Sequence, residues 1–309
     1  MEKLTAALRK KAKKALQSGE VDAVIGWKKG VFSWQSPPKI FENSKELDEL
    51  IVDEFCATNL SKYLTREFLQ NKKVGIPLRG CDSLAFNQLS QDGQIDREKL
   101  LLWGISCSGI LDPQKLKKQG LRSDFQKAAD SENLLLSKCQ RCPQQKPLGC
   151  DEMLCGEEDF DGEDKDEEGF EDVEELEEWS REKRYNFWQE QLSSCIKCFA
   201  CRNVCPACSC LECIFDDPDS PHLSKAKHPS DDMFFHLLRS YHVAGRCVDC
   251  GECERVCPAN IPLQLLNRKL TRDINVLFGS HRAGVDEDKP SPLLSFETDD
   301  SVSFEPEED

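Results

Sequence analysis

Nowhere in the 309 residues is there an unbroken apolar run of the roughly 18 residues that a membrane-spanning helix requires, so no membrane span is expected. Positive charge is also short. Lys and Arg number 41 against 57 Asp and Glu, a formal net charge of -16. Nucleic acid and anionic lipid surfaces favour clustered Lys and Arg, and neither is expected as a partner. The start carries no charged segment followed by an apolar core and a cleavage site, which leaves the cytoplasm as the expected location. Also missing are a Gly-x-Gly-x-x-Gly loop, a phosphate loop, a Ser-His-Asp set and a paired-carboxylate pocket.

What the chain has in abundance is cysteine, 18 in all. Thiols in a reducing compartment stay available as ligands, so this density points to metal rather than disulfides. Cys195, Cys198, Cys201 and Cys205, followed by Pro206, form Cys-x2-Cys-x2-Cys-x3-Cys-Pro, and Cys247, Cys250, Cys253, Cys257 and Pro258 repeat it. This is the spacing of a 4Fe-4S ferredoxin, in which a tight turn aims three thiolates at one cubane and the fourth cysteine serves the other cluster. The expected ligands are therefore Cys195, Cys198, Cys201 and Cys257 for one cluster and Cys247, Cys250, Cys253 and Cys205 for the second. The fourth cysteine of each motif is expected at the start of a following helix. Gly251 suits the tight turn, and Pro206 and Pro258 bend the chain just after a ligand. Zinc is the competing metal, but its four-thiolate sites use separated pairs rather than a triplet plus one.

About forty residues separate the motifs, and residues 233–243 within that gap read as a helix, which favours a helical type of dicluster domain. Phe234, Phe235, Leu237 and Leu238 are expected to pack there, as core or against the clusters. His236 and His242, on the same segment, read as satisfied core or surface histidines rather than ligands.

Ahead of the motifs, residues 3–17 have helical apolar spacing. Residues 21–27 and 31–34 read as a hairpin about Lys28-Lys29-Gly30. Residues 46–55 and 59–69 look helical. Residues 73–78 and 100–105 look like buried strands flanking a helix over 83–89 that Asp82 or Ser83 would cap. A further helix is expected over 123–136. Strand, loop, helix and strand in that order imply an open, mostly parallel α/β sheet. The expected organisation is an α/β domain over residues 1–155, an acidic linker over 156–180, a mainly α-helical dicluster domain over 181–284 and an acidic disordered tail over 285–309. Within this plan a helix spans the region from Glu171 through Glu190.

In an open parallel sheet the loops beyond the carboxyl ends of the strands gather on one edge, where ligands bind. Cys81 and Cys107 fall in two such loops. With the Cys139 and Cys142 pair they form a candidate third 4Fe-4S site. Cys139, Cys142, Cys150 and Cys155 are a rival, local set suited to zinc, and unliganded buried thiols are a third reading. Cys208, Cys210 and Cys213 crowd behind the first motif as either metal ligands or packing residues, and Cys56 reads as core.

Val74-Gly75-Ile76, Arg79-Gly80-Cys81-Asp82-Ser83 and Trp103-Gly104-Ile105-Ser106-Cys107 resemble the beta-subunit family of deazaflavin-coenzyme hydrogenases and formate dehydrogenases. The stretches from Cys195 to Pro206 and from His242 to Gly251 look like its dicluster members. The resemblance implies a subunit that passes electrons between an oxidoreductase partner (a hydrogenase, a formate dehydrogenase or a heterodisulfide-reductase-like assembly of anaerobes) and a soluble carrier. Many relatives also bind a flavin, so a reductase holding FAD at the α/β edge is the alternative, and a zinc-stabilised scaffold is a third reading. Electron transfer without a substrate site of its own is the leading expectation.

Overall fold

The computed structural model describes residues 1–120, 132–154, 169–217, 228–286 and 288–294. The chain opens with helix α1 (Glu2–Ser18), which buries Leu4, Leu8, Ala12 and Ala15 and ends at Gly19 in the left-handed conformation. A mixed sheet follows, made of β1 (Ala23–Lys28), β2 (Pro38–Phe41), β3 (Leu50–Ile51), β4 (Val74–Leu78), β5 (Leu100–Gly104) and β6 (Glu152–Met153). Its order is β2-β1-β4-β5-β6, with β3 also paired to β1. The β1–β4, β4–β5 and β5–β6 pairs are parallel, and β2 and β3 run antiparallel to β1. The open, mostly parallel sheet is thus present.

β4 is buried along its whole length, as a strand covered on both faces must be. Trp103 on β5 lies over Gly75 on β4. A Cβ at Gly75 would stand 2.5 Å from the indole ring, so glycine is what lets the two strands pack with so large a side chain between them. Helix α2 (Gly80–Gln91) connects β4 to β5.

Several local expectations are corrected. The partner of β1 is β2, not residues 31–34. That stretch is a turn in which Val31 is 92% exposed and Phe32 stacks on Trp34. Residues 46–55 and 59–69 form short 3-10 turns (Glu46–Glu49, Ser61–Thr65 and Glu67–Leu69) rather than α-helices. The cause in the second segment is side-chain capture of its backbone. Leu60 N–H donates to the Asp82 carboxylate and Ser61 N–H donates to the Asn59 side-chain carbonyl. Arg79, not Asp82 or Ser83, is the N-cap of α2, and Asp82 closes a capping box with it. The helix expected over 123–136 lies mostly outside the described residues, and Glu132–Leu134 is a 3-10 turn.

Two short helices, α3 (Pro113–Lys118) and α4 (Ser137–Gln140), complete the first half. The second half is helical: α5 (Glu171–Glu177), α6 (Arg181–Ser193), α7 (Ala200–Val204), α8 (Pro229–His242), α9 (Glu252–Arg255) and α10 (Leu263–Phe278). The single helix expected after the linker is two, broken at Trp179 and Ser180, where the Ser180 hydroxyl caps α6. Most of the expected linker, and the tail from residue 295 on, lie outside the described residues. The first part of the tail is packed rather than loose. The Asp286 carbonyl accepts from Gln91 on α2, just after the Gly284 carbonyl accepts from Asn87, and Ser291 is buried beside Gly245.

Candidate metal centre

The two cysteine motifs adopt the same backbone path. In the first, Lys197 and Phe199 have φ of 50° and 56°; in the second, Asp249 and Gly251 have 51° and 64°. These are the second residue after the first cysteine and the residue after the second cysteine in each copy. Three of the four carry side chains in a region that L-residues seldom enter. Left-handed residues turn successive N–H groups toward a concavity that suits an anion. The Lys197 N–H already points at Cys195 Sγ, 3.3 Å away.

α7 and α9 then carry Cys201 and Cys253, and Cys205 and Cys257 come at or just beyond their ends. The expectation that the fourth cysteine begins a following helix is corrected: each instead follows the helix that bears the third. Turning out of that helix is what sends the thiol toward the other motif.

The thiols fall into sets by their mutual influence. Burial first, and then Asp232, Cys257 and Cys198, raise the Cys195 thiol. Burial likewise pushes Cys201 up to about 11 against Arg239, with Cys195 and Cys257 adding to the rise. In the second set burial raises Cys247 and Cys250 well above the ordinary thiol value, with Cys205 contributing to both. Cys253, pushed up to about 12 by burial, is influenced by both Cys205 and Cys201 and so adjoins both sets. Buried thiols at such values are protonated at neutral pH, so a bound metal must displace their protons.

A third set gathers at the carboxyl edge of the sheet. Cys81 lies in the first turn of α2 after β4, Cys107 in the loop after β5, Cys139 in α4 and Cys142 just beyond it. Burial raises Cys81, Cys107 and Cys142, the last to about 11. Cys142 also acts on Cys81, Cys139 on Cys107, and both Cys139 and Cys107 on Cys142. The loop is held tightly: Cys107 N–H donates to Gln145 O at 3.0 Å, and a Cβ at Gly80 would stand 2.0 Å from Gln144 O. Arg79, buried over the Trp27 ring, donates to the Cys56 and Thr58 carbonyls and to Asp82, while Asn59 donates to Cys81 O. Of the rival set, Cys150 lies instead against Met153 and packs with the main core, and Cys155 is outside the described residues. Cys56 is buried in the main core.

The third set adjoins the second. Cys250, Val248, Leu84 and Ala85 form one apolar group with Cys81 packed on it, and a narrow cavity is lined by Cys81, Lys138, Cys139, Cys142 and Cys250.

Phe235 is buried at the centre of the first set's apolar surround, edge-on to Phe199, Phe215 and His236. Leu238 packs there too, whereas Phe234 and Leu237 are largely exposed. His236 is not a satisfied histidine. It is buried with neither ring nitrogen hydrogen-bonded, and burial, with Arg239 and Lys197, lowers its pKa to about 3. His242, by contrast, is exposed.

A cleft of about 500 Å³ is lined by Lys62, Arg66, Arg202, Arg239 and His242 together with Cys208, Cys210 and Cys213. Cys208 is hydrogen-bonded to Cys205, which lowers Cys205 and raises Cys208, so the cleft floor reaches the second set.

These residues fit iron-sulfur clusters by the chemistry of the donors. Each set offers four thiols, mostly buried or half-buried with Cys198 exposed, and buried N–H groups without partners, on Arg239 and His236, stand ready for anionic sulfur. Among the described residues no three His, Cys, Asp or Glu side chains close on a point as ligands of one ion must. A cubane instead spreads its thiolates around a whole cluster.

A family model described as a 4Fe-4S dicluster domain matches residues 190–261, a span that includes all eight cysteines of the two motifs. The F420-dependent formate dehydrogenase subunit beta of Methanocaldococcus jannaschii is 26% identical over 348 residues, covering 90% of each chain. The F420-dependent formate dehydrogenase 1 subunit beta of Methanococcus maripaludis is 26% identical over 354 residues, again covering 90% of each. Among the described residues no helix is long and apolar enough to cross a membrane. The chain is an iron-sulfur electron-transfer protein of the oxidoreductase class, with two 4Fe-4S clusters in its dicluster domain, and is similar over nine-tenths of its length to beta subunits of F420-dependent formate dehydrogenases.

Proposed function

We propose that the chain is the relay subunit of an oxidoreductase complex of the formate dehydrogenase, hydrogenase or heterodisulfide-reductase-like kind, carrying electrons between a catalytic partner and a soluble redox carrier. Cys195, Cys198, Cys201 and Cys257 hold one cluster, and Cys205, Cys247, Cys250 and Cys253 hold the second. Cys81, Cys107, Cys139 and Cys142 hold a third. The observation that carries this reading is the packing across motifs: Cys257 packs in one apolar cluster with Cys195 and Cys201, while Cys205 packs in another with Cys247. A bound cubane takes up or releases one electron at a time.

The protein's part is to fix the thiols, exclude water and keep the three sets in series. Phe235, Phe199 and Phe215 cover the buried side of the first set, and Cys198 faces solvent. Arg239 and Cys253 lie where the first and second sets meet, and Cys81 and Cys250 where the second and third meet. The cationic cleft beside Cys205 is the place for an anionic carrier to approach the series, and the α/β edge beside Cys107 is the far end. The function divides accordingly: chemistry on the substrate belongs to the partner, and this chain sets the route.

The test is anaerobic reconstitution of the full chain with iron and sulfide counted per chain, alongside Cys257→Ser, Cys205→Ser and Cys107→Ser. Wild type should hold roughly twelve irons as three cubanes, and each variant should lose one cluster's electron paramagnetic resonance (EPR) signal. Unchanged signals in Cys257→Ser and Cys205→Ser would remove the crossed-ligand assignment; full iron retention in Cys107→Ser would remove the third site.

A further inference from the structure

Among the described residues the buried arginines are paired with carboxylates, with one exception. Arg79 donates to Asp82 at 2.6 Å, and Arg268 bridges Asp172 and Asp249. Arg239, on α8, is 2% exposed and has no carboxylate partner among the described residues. Its Nε and Nη1 make no hydrogen bond, and Nη2 makes only a long one, 3.5 Å, to Cys201 O.

A guanidinium stays charged at any physiological pH. Burying one without a counter-charge costs several kcal/mol. The groups that do face it are thiols: Cys253, Cys205, Cys201 and Cys208, in falling order of influence. Cys201 belongs to the first set and Cys253 and Cys205 to the second, so the cation stands between them. On the same helix face, one turn earlier, sits His236, also buried and without a hydrogen-bond partner. Asp232, one turn before that, is taken by Lys197 at 3.4 Å and leaves Arg239 unneutralised.

We propose that Arg239 is a positioning residue shared by both clusters, supplying fixed positive charge and N–H donors to their anionic sulfur and thereby holding both reduction potentials up. The inference rests on the dicluster reading. A four-thiolate cubane gains negative charge on reduction, so a nearby immovable cation favours the reduced form. Charge-assisted donation to sulfur acts in the same direction. One cation placed at the seam also acts on both clusters together, which keeps their potentials matched for transfer between them.

The test uses the full chain, anaerobically reconstituted, as wild type, Arg239→Met and Arg239→Lys. Iron and sulfide are counted, and the midpoint potential of each signal is followed by EPR during redox titration. Arg239→Met should retain its iron and shift both midpoints negative, leaving each cluster about tenfold less reduced at a fixed ambient potential, the scale of one charged hydrogen bond. Arg239→Lys, which keeps charge but not the planar fork, should shift both by less. If Arg239→Met loses its clusters, the neutral but polar Arg239→Gln takes its place. Unchanged midpoints in an iron-replete neutral variant beside a normal wild type overturn the role of Arg239 alone. A wild-type chain lacking two cluster signals overturns the dicluster reading and this role with it.

Discussion

Lys138 Nζ donates to Glu252 at 2.7 Å, and neither side chain has meaningful contact with water. The pair joins α4, which carries Cys139, to α9, which carries Cys253, so one ion pair fastens the sheet edge to the dicluster domain. Lys138 also donates to Ala57 O, and its methylenes fill the space over Gly251. Burial alone would raise the Glu252 carboxyl; Lys138 and Arg255 outweigh it and hold the group down at about 2.

Lys138→Met should therefore leave the buried Glu252 carboxylate with Arg255 as its remaining partner and lower stability by about 1–3 kcal/mol, measured as the denaturation midpoint of the full chain. The sign with pH is fixed by the depressed carboxyl. Its stabilisation is complete above the ordinary carboxylate value of 4.5 and drains away as pH falls toward about 2. Glu252→Gln should lose that share of the acid dependence while being less stable than wild type at neutral pH.

Gly80→Ala is expected to be selective. The added Cβ would meet the Gln144 carbonyl, which is backbone and cannot step aside without moving the loop that bears Cys142. The variant should lose roughly four irons, those of the third site, and keep both dicluster signals. Iron counting with EPR reads both at once.

Phe235→Ala removes the ring at the middle of the first set's apolar surround, against which Phe199 and Phe215 stand edge-on. A loss of about 3–5 kcal/mol is expected from cavity and transfer costs. Water should then reach the first cluster, and faster bleaching of the visible absorption in air is the second readout.

Arg66 lies exposed on the rim of the cleft that runs down to Cys208. Arg66→Glu should slow reduction by the anionic reductant dithionite about tenfold at low ionic strength, and the effect should fade with added salt. Reduction by the cationic dye methyl viologen should not slow. Stopped-flow absorbance at two salt concentrations distinguishes these.

The two cysteine motifs were legible because spacing alone carries that chemistry, and the strands at 74–78 and 100–104 because strands inside a parallel sheet are apolar throughout. The left-handed turns were legible only at Gly251. Lys197, Phe199 and Asp249 carry no residue-type signal for that conformation, and only the repetition of the motif points to them. The helix expected over 59–69 failed because periodicity does not reveal that Asp82 claims the Leu60 N–H, a contact across more than twenty residues. Arg239 was overlooked, yet a signal existed: a charged residue four positions after Phe235, on a helix face otherwise facing core. His236 was misjudged for the converse reason, since a sequence records no missing partner.

The crossed placement of Cys205 and Cys257 has a consequence for how the second half would come apart. On the proposed ligands, each motif lends its last thiolate to its sibling, so a single cut of the chain between the two motifs would sever it without freeing either piece. The halves would stay pinned through metal-sulfur bonds like two leaves of a hinge, co-migrating in a native gel until a chelator draws the pin.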